Sequence, residues 1–106
     1  MTRKDLSPGA QLSQSCHACF EFSFKYPELT GEWHHNSNFI AILAAKNEDE
    51  LINLIKRLEE KEIKFAYFRE SDLDHQITAI AIEPGDKGKK VTSCFPLALK
   101  KCEEVK

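Results

Sequence analysis

Two short runs of this chain are apolar on both alternating faces, and they limit the folds open to it. They are Phe39-Ile40-Ala41-Ile42-Leu43-Ala44 and Gln76-Ile77-Thr78-Ala79-Ile80-Ala81-Ile82. A strand with one face in water alternates apolar with polar residues. A strand apolar on both faces needs cover on both, which helices on either side of a sheet supply. Ile63–Arg69 reads as a further strand, and the turn Glu70–His75 would let it pair antiparallel with 76–82. A helix lies between the first two of these strands. Asn47 caps it, Glu50 is its capping-box partner, and Glu48, Asp49 and Glu50 suit the positive end of the helix dipole. Leu51, Ile52, Leu54, Ile55 and Leu58 form its apolar stripe. With a helix near each end of the chain, the order is helix, strand, helix, strand, strand, helix. It predicts an α/β three-layer sandwich with a small mixed β-sheet and helices on both faces.

The first helix is predicted over about residues 8–24, with Ser7 as N-cap and Pro8 at the first helical position. Leu12, Cys16, Cys19 and Phe20 recur at helical spacing and are expected to face the core. Pro27, Gly31 and the polar run His34–Ser37 read as a loop, with a short turn around Glu28–Trp33. Asp86–Lys90 reads as a charged loop. Val91–Lys101 reads as a final helix that buries Phe95, Leu97 and Leu99 and holds Pro96 in its first turn.

A chain of 106 residues makes a single domain, 1–106. A net charge of −2 gives no overall attraction to phosphate, so any RNA contact has to come from local clusters. No apolar run follows Arg3-Lys4, and none approaches the roughly 20 residues that cross a bilayer. The four cysteines then fit a reducing cytoplasm with free thiols and no membrane partner.

On the first helix Ala10, Gln14, His17 and Glu21 share a second stripe. His17 can serve as general base or acid near neutral pH, and Gln14 can orient a substrate carbonyl. The same stripe also reads as an ordinary exposed face. Cys16-His17-Ala18-Cys19 has the spacing of a redox or zinc pair, and His34 and His35 could extend a metal site. Mid-helix thiols on an apolar stripe read instead as buried structural cysteines, so neither metal nor cofactor is expected. Gly85–Lys90 lacks the spacing of a phosphate loop. Its Lys87, Lys89 and Lys90 can meet a phosphate backbone, or simply be solvated. Glu70, Asp72, Asp74 and His75 gather at a strand end, where sites of α/β folds lie, although Asp-rich turns are also common. Thr78 either points its hydroxyl toward that place or serves as a β-former in the core.

Several of these pieces together resemble the type II peptidyl-tRNA hydrolase family. They are Arg3-Lys4-Asp5-Leu6, Gly9, Gln14-Ser15-Cys16-His17-Ala18, Tyr26-Pro27-Glu28-Leu29 with Trp33, Asn47–Leu51, and Thr78–Pro84, together covering roughly residues 3–84. The resemblance implies a mixed four-stranded sheet and cleavage of the ester between a peptide and the terminal ribose of tRNA. It implies site roles for Asp5, Gln14, His17 and Thr78, with Glu70 at the position of the family's acidic residue. His17 would activate or position water beside Glu70, and Gln14 and Thr78 would orient the ester. Asp5, Gly9 and the lysines at 87, 89 and 90 would bind substrate. The family's lysine, four residues before the glutamine, is replaced here by Ala10. A non-catalytic binding module of the same fold is the alternative. The family's first strand precedes the Arg3 position, and here only Met1 and Thr2 stand there. Either the start lies downstream of the true one, or a sheet position is unfilled and invites pairing into a homodimer.

Overall fold

The computed structural model describes residues 1–100. Its elements are β1 (Thr2–Arg3), α1 (Pro8–Lys25), α2 (Pro27–His35), β2 (Ala44–Ala45), α3 (Glu48–Glu60), β3 (Phe65–Glu70), β4 (Gln76–Ile82) and α4 (Asp86–Val91), with a 3-10 turn at Ser71–Leu73. The strands form one four-stranded sheet in the order β2-β1-β4-β3. β1 is parallel to β2 and antiparallel to β4, and β3 and β4 are antiparallel. The predicted α/β architecture with a small mixed sheet is therefore present.

The sheet position before Arg3 is filled, by β1 itself. Thr2 and Arg3 are buried and sit in the interior of the sheet, between β2 and β4. Thr2 N–H donates to the Leu43 carbonyl at 2.8 Å and Lys4 N–H to the Ala45 carbonyl at 2.8 Å. Met1 and Ile80 exchange bonds at 2.8 and 2.9 Å. Two residues suffice as a strand because both neighbours satisfy their backbone groups. An unfilled position therefore gives no reason for dimerisation.

The predicted strand 39–44 does not form as such: β2 is Ala44–Ala45 and overlaps it at Ala44 alone. Phe39 and Ile40 are exposed, and the Trp33 indole N–H donates to the Phe39 carbonyl at 2.7 Å. The outer side of this segment is covered by residues 96–98: Ala44 N–H reaches the Pro96 carbonyl, and Ala98 N–H the Ile42 carbonyl. That bridge, centred on Leu43 and Leu97, ties 96–98 to the β2 edge, and the helix expected over Val91–Lys101 does not form. Pro96 lies past a series of turns, and Leu97 and Leu99 are exposed. Lys101, the end of that expected helix, and Cys102 lie outside the described residues. The loop expected at 86–90 is instead α4, and the turn expected near 28–33 is the full helix α2.

α3 follows its sequence signals. Asn47 Oδ1 accepts the Glu50 N–H at 3.1 Å, and Glu50 Oε1 accepts the Lys46 N–H at 2.7 Å. Leu51, Leu54 and Leu58 are fully buried against Ala45, Ile77, Ile80 and Val91. α1 covers the other face, over β3 and β4. There the expected stripe is wrong: Leu12, Cys16, Cys19 and Phe20 are exposed, so the two thiols are not buried structural cysteines. The buried face is Gln11, Gln14, Ser15, Ala18 and Phe22. Among the described residues, no helix is long and apolar enough to cross a membrane.

Candidate active site

The site begins with an irregularity in the sheet. Phe68 faces Ala79, but the next residue, Arg69, faces Ile77, which leaves Thr78 without an opposite partner. Such a bulge reverses the in–out alternation of a strand. Ile77 and Ile80 would otherwise point to opposite faces, yet both join the α3 core. Thr78, freed from the ladder, turns toward α1.

Thr78 Oγ1 donates to Gln14 Oε1 at 2.8 Å, and Gln14 Nε2 donates to Glu70 Oε1 at 2.8 Å. Because the amide oxygen takes the hydroxyl proton, the amide nitrogen must face the carboxylate. Both ends of Gln14 are thereby committed. Thr78 is fully buried and Gln14 is 6% exposed, whereas Glu70 is half-buried at the rim. Glu70 Oε2 also accepts the Asp72 N–H at 3.3 Å, capping the 3-10 turn. The Gln14 hydrogen bond foremost, and then the Asp72 N–H, hold the Glu70 carboxyl below its ordinary 4.5, with a lesser contribution from nearby His17. This carboxylate stays ionised and accepts hydrogen bonds. His17 lies exposed next to it, its ring stacked on Phe68 at 4.3 Å and 8°. Histidine, glutamine, glutamate and threonine from α1, β3 and β4 thus meet at one end of the sheet.

A second network adjoins the first. The Arg3 guanidinium donates to both Asp5 oxygens at 3.0 and 2.8 Å, to Gln76 Oε1 at 2.8 Å and to the Ile77 carbonyl at 3.1 Å. Paired hydrogen bonds from Arg3 keep the Asp5 carboxyl below its ordinary value. Glu48 Oε2 accepts the Ile77 N–H at 2.9 Å. Arg3 is therefore occupied and cannot replace the absent lysine. Ala10 stands one helical turn before Gln14, and the ion pair among the described residues is Arg3–Asp5, so no cation neutralises Glu70.

Gly9 lies exposed in the first turn of α1 with open space where a Cβ would be. Lys87, Lys89 and Lys90 are not brought to this place. They are on or beside the far end of β4, roughly 20 Å from Gln76 at about 3.3 Å per residue. Asp74 and His75 form a left-handed turn beyond the carboxylate and donate no side-chain contact to the relay. Sequence reasoning missed Phe68 as the platform for His17, and Gln76 and Glu48 as partners around Arg3. Only the bulge and the sheet order bring these residues together. Among the described residues, no cluster of three His, Cys, Asp or Glu side chains is placed to hold a metal.

The sequence profile of the family described as Peptidyl-tRNA hydrolase PTH2 matches residues 1–97, so it includes every strand and helix above. The chain belongs to that family. No curated protein matches it.

Proposed function

We propose that this member of the family hydrolyses the ester between a peptide and the terminal ribose of tRNA. The observation that carries the reading is the Thr78–Gln14–Glu70 relay with His17 stacked beside its open end. A water between the His17 imidazole and the Glu70 carboxylate would attack the ester carbonyl while His17 takes its proton. The tetrahedral intermediate would then collapse with cleavage of the bond to the ribose oxygen, and His17 would return the proton to that leaving oxygen. The products are a peptide carboxylate and a free ribose hydroxyl. Glu70, held ionised, fixes the water and stabilises the imidazolium. The burial of Gln14 and Thr78 supports a positioning role, fixing Glu70, in place of direct contact with the ester.

At the start of α1, Pro8 has no N–H and Ala10 N–H is bonded to Ser7 Oγ at 3.3 Å. Gly9 N–H, in the first turn, is a donor that a phosphate could take up. Asp5 acts through Arg3, fixing the β1–β4 junction, and the α4 lysines would meet more distant parts of the tRNA backbone. The deciding experiment follows hydrolysis of N-blocked aminoacyl-tRNA. His17→Ala is expected to lower turnover roughly 100-fold or more, the scale of general acid–base catalysis. Absence of turnover by the natural chain, or turnover indifferent to His17→Ala, would overturn the catalytic reading.

Ala10 favours a second reading, a binding module of the same fold that has lost catalysis. A cation near the developing oxyanion is worth roughly 10²–10³ in rate, and no cation pairs with Glu70 here. Activity that appears only in Ala10→Lys would select this reading.

A further inference from the structure

A cleft of about 370 Å³ that shares no lining residue with the relay is lined by Lys4, Lys46, Glu50, Asn53, Arg57 and Phe95. That volume lies within the range of small-ligand pockets. From it we propose an RNA-binding groove: the cleft binds the phosphodiester backbone of the strand that carries the ester. This deepens the hydrolase reading and depends on it for the identity of the RNA.

Charge is the first support. Three cations line the cleft against one carboxylate, Glu50, and that carboxylate is engaged with the Lys46 N–H at 2.7 Å. None of the three cations forms an ion pair among the described residues, where Arg3–Asp5 is the pair present. Lys4 and Lys46 come directly after β1 and β2, whose register pairs Arg3 with Ala45. Their chains therefore leave adjacent strands about 4.8 Å apart, and two neighbouring ammonium groups repel unless an anion joins them. Arg57 spends one N–H on a long 3.5 Å contact to the Val91 carbonyl, which leaves most of its planar fork for phosphate oxygens.

Position is the second support. Lys4 and Lys46 mark the carboxyl ends of the parallel strands, the end of the sheet where Asp5, Gln76 and Glu70 also lie. From Glu50 to Arg57 the groove follows α3 for about 10 Å at 1.5 Å per residue, room for more than one phosphate. Half-buried Phe95 gives an apolar wall for a ribose or base. With a net charge of −2 the chain has no general affinity for RNA, so a local cluster of this kind is what contact requires.

The test is direct binding of deacylated tRNA, which needs no turnover, followed by fluorescence anisotropy across a salt series. Losing two phosphate contacts should flatten log K against log salt by roughly 1.4 and weaken binding about tenfold at about 0.15 M salt. This is the result expected of the double variant Lys46→Gln/Arg57→Gln. Both residues are exposed, and melting curves check that the variant is folded. Lys4→Gln alone should weaken binding roughly fourfold by the same relation and gives an independent reading. If hydrolysis occurs, the double variant raises KM and leaves kcat unchanged. Binding lost without any hydrolysis in the natural chain would keep the groove and discard the enzyme. Unchanged affinity and salt slope would overturn the proposal, as would loss confined to a Lys87→Gln/Lys89→Gln/Lys90→Gln variant. It would also fall if inorganic phosphate shifts the NMR signals of the cleft while these variants bind tRNA normally, because the cleft would then hold free phosphate only.

Discussion

Thr78→Val separates the relay from the packing around it. Valine keeps the β-branched shape of threonine at a fully buried position, so little cavity or strain is introduced. What disappears is the proton that Thr78 Oγ1 gives to Gln14 Oε1 over 2.8 Å. Gln14 is 6% exposed and its nitrogen is held by Glu70, so the amide oxygen has no other donor in reach and water replaces it poorly. An orphaned buried acceptor costs about 1–3 kcal/mol. For a chain of this size that is a fall in Tm of roughly 4–8 °C per kcal/mol. The reverse deletion is milder at the threonine, because Gln14→Leu leaves the Thr78 hydroxyl a second acceptor, the Phe68 carbonyl at 3.4 Å. A double-mutant cycle by thermal and urea unfolding should therefore show coupling on the order of 0.5–3 kcal/mol between the two positions. The double variant should be less destabilised than the sum of the singles. If Thr78→Val melts within about 1 °C of the natural protein, or the two effects simply add, the relay described here does not exist as a buried unit.

Three further outcomes follow from the same geometry. Because the folded value of Glu70 lies below its ordinary 4.5, its stabilising contribution is complete above that pH and is lost as pH falls through the folded value. In Gln14→Leu the carboxyl should titrate at higher pH by NMR, and an unmoved titration would rule out Gln14 as the main cause. Arg3→Met removes a buried guanidinium that holds Asp5, Gln76 and the Ile77 carbonyl. Asp5 is 41% exposed and regains solvent, so the discounted loss is about 2 kcal/mol, or roughly 10 °C in Tm; a melting temperature unchanged by the substitution would show that the network contributes nothing. Thiol labelling in native buffer should modify Cys16 and Cys94 readily and Cys19 more slowly, since burial raises the Cys19 pKa; Cys16 and Cys19 both unreactive would restore the buried-cysteine reading of α1.

Where local chemistry settles an element, the sequence was readable. Ser7 and Pro8 start α1, Asn47 and Glu50 start α3, and β4 occupies residues 76–82 as its apolar pattern predicts. β1 and β2 are two residues each, too short for any periodicity, and exist because neighbours complete their hydrogen bonds. The face of α1 was misread for a different reason. Periodicity reveals two stripes on a helix but not which one meets the sheet. Beneath α1 the relay offers hydrogen-bonding partners, and Gln11 reaches the Leu6 carbonyl at 2.8 Å while Ser15 reaches the Gln11 carbonyl at 2.7 Å. With their polar atoms largely paired, these side chains can be buried at little cost, and Phe20 and Phe24 remain outside. The tie between Gln14 and Thr78 was anticipated only as common membership of a site. Its direct hydrogen bond depends on a bulge that no residue pattern in β4 announces.

That bulge also explains how the site can persist without the family's lysine. Thr78, Gln14 and Glu70 satisfy one another, and Asp72 N–H and the 3-10 turn complete the carboxylate's partners. None of these bonds involves position 10. A lysine there would add charge one turn from Gln14 without supporting any bond that holds the relay in shape. On the proposed hydrolase reading, alanine at this position would forgo a cation's stabilisation of the transition state and leave these bonds standing. The fold and the relay are therefore compatible with both readings proposed for the chain, and Ala10→Lys is the substitution that separates them.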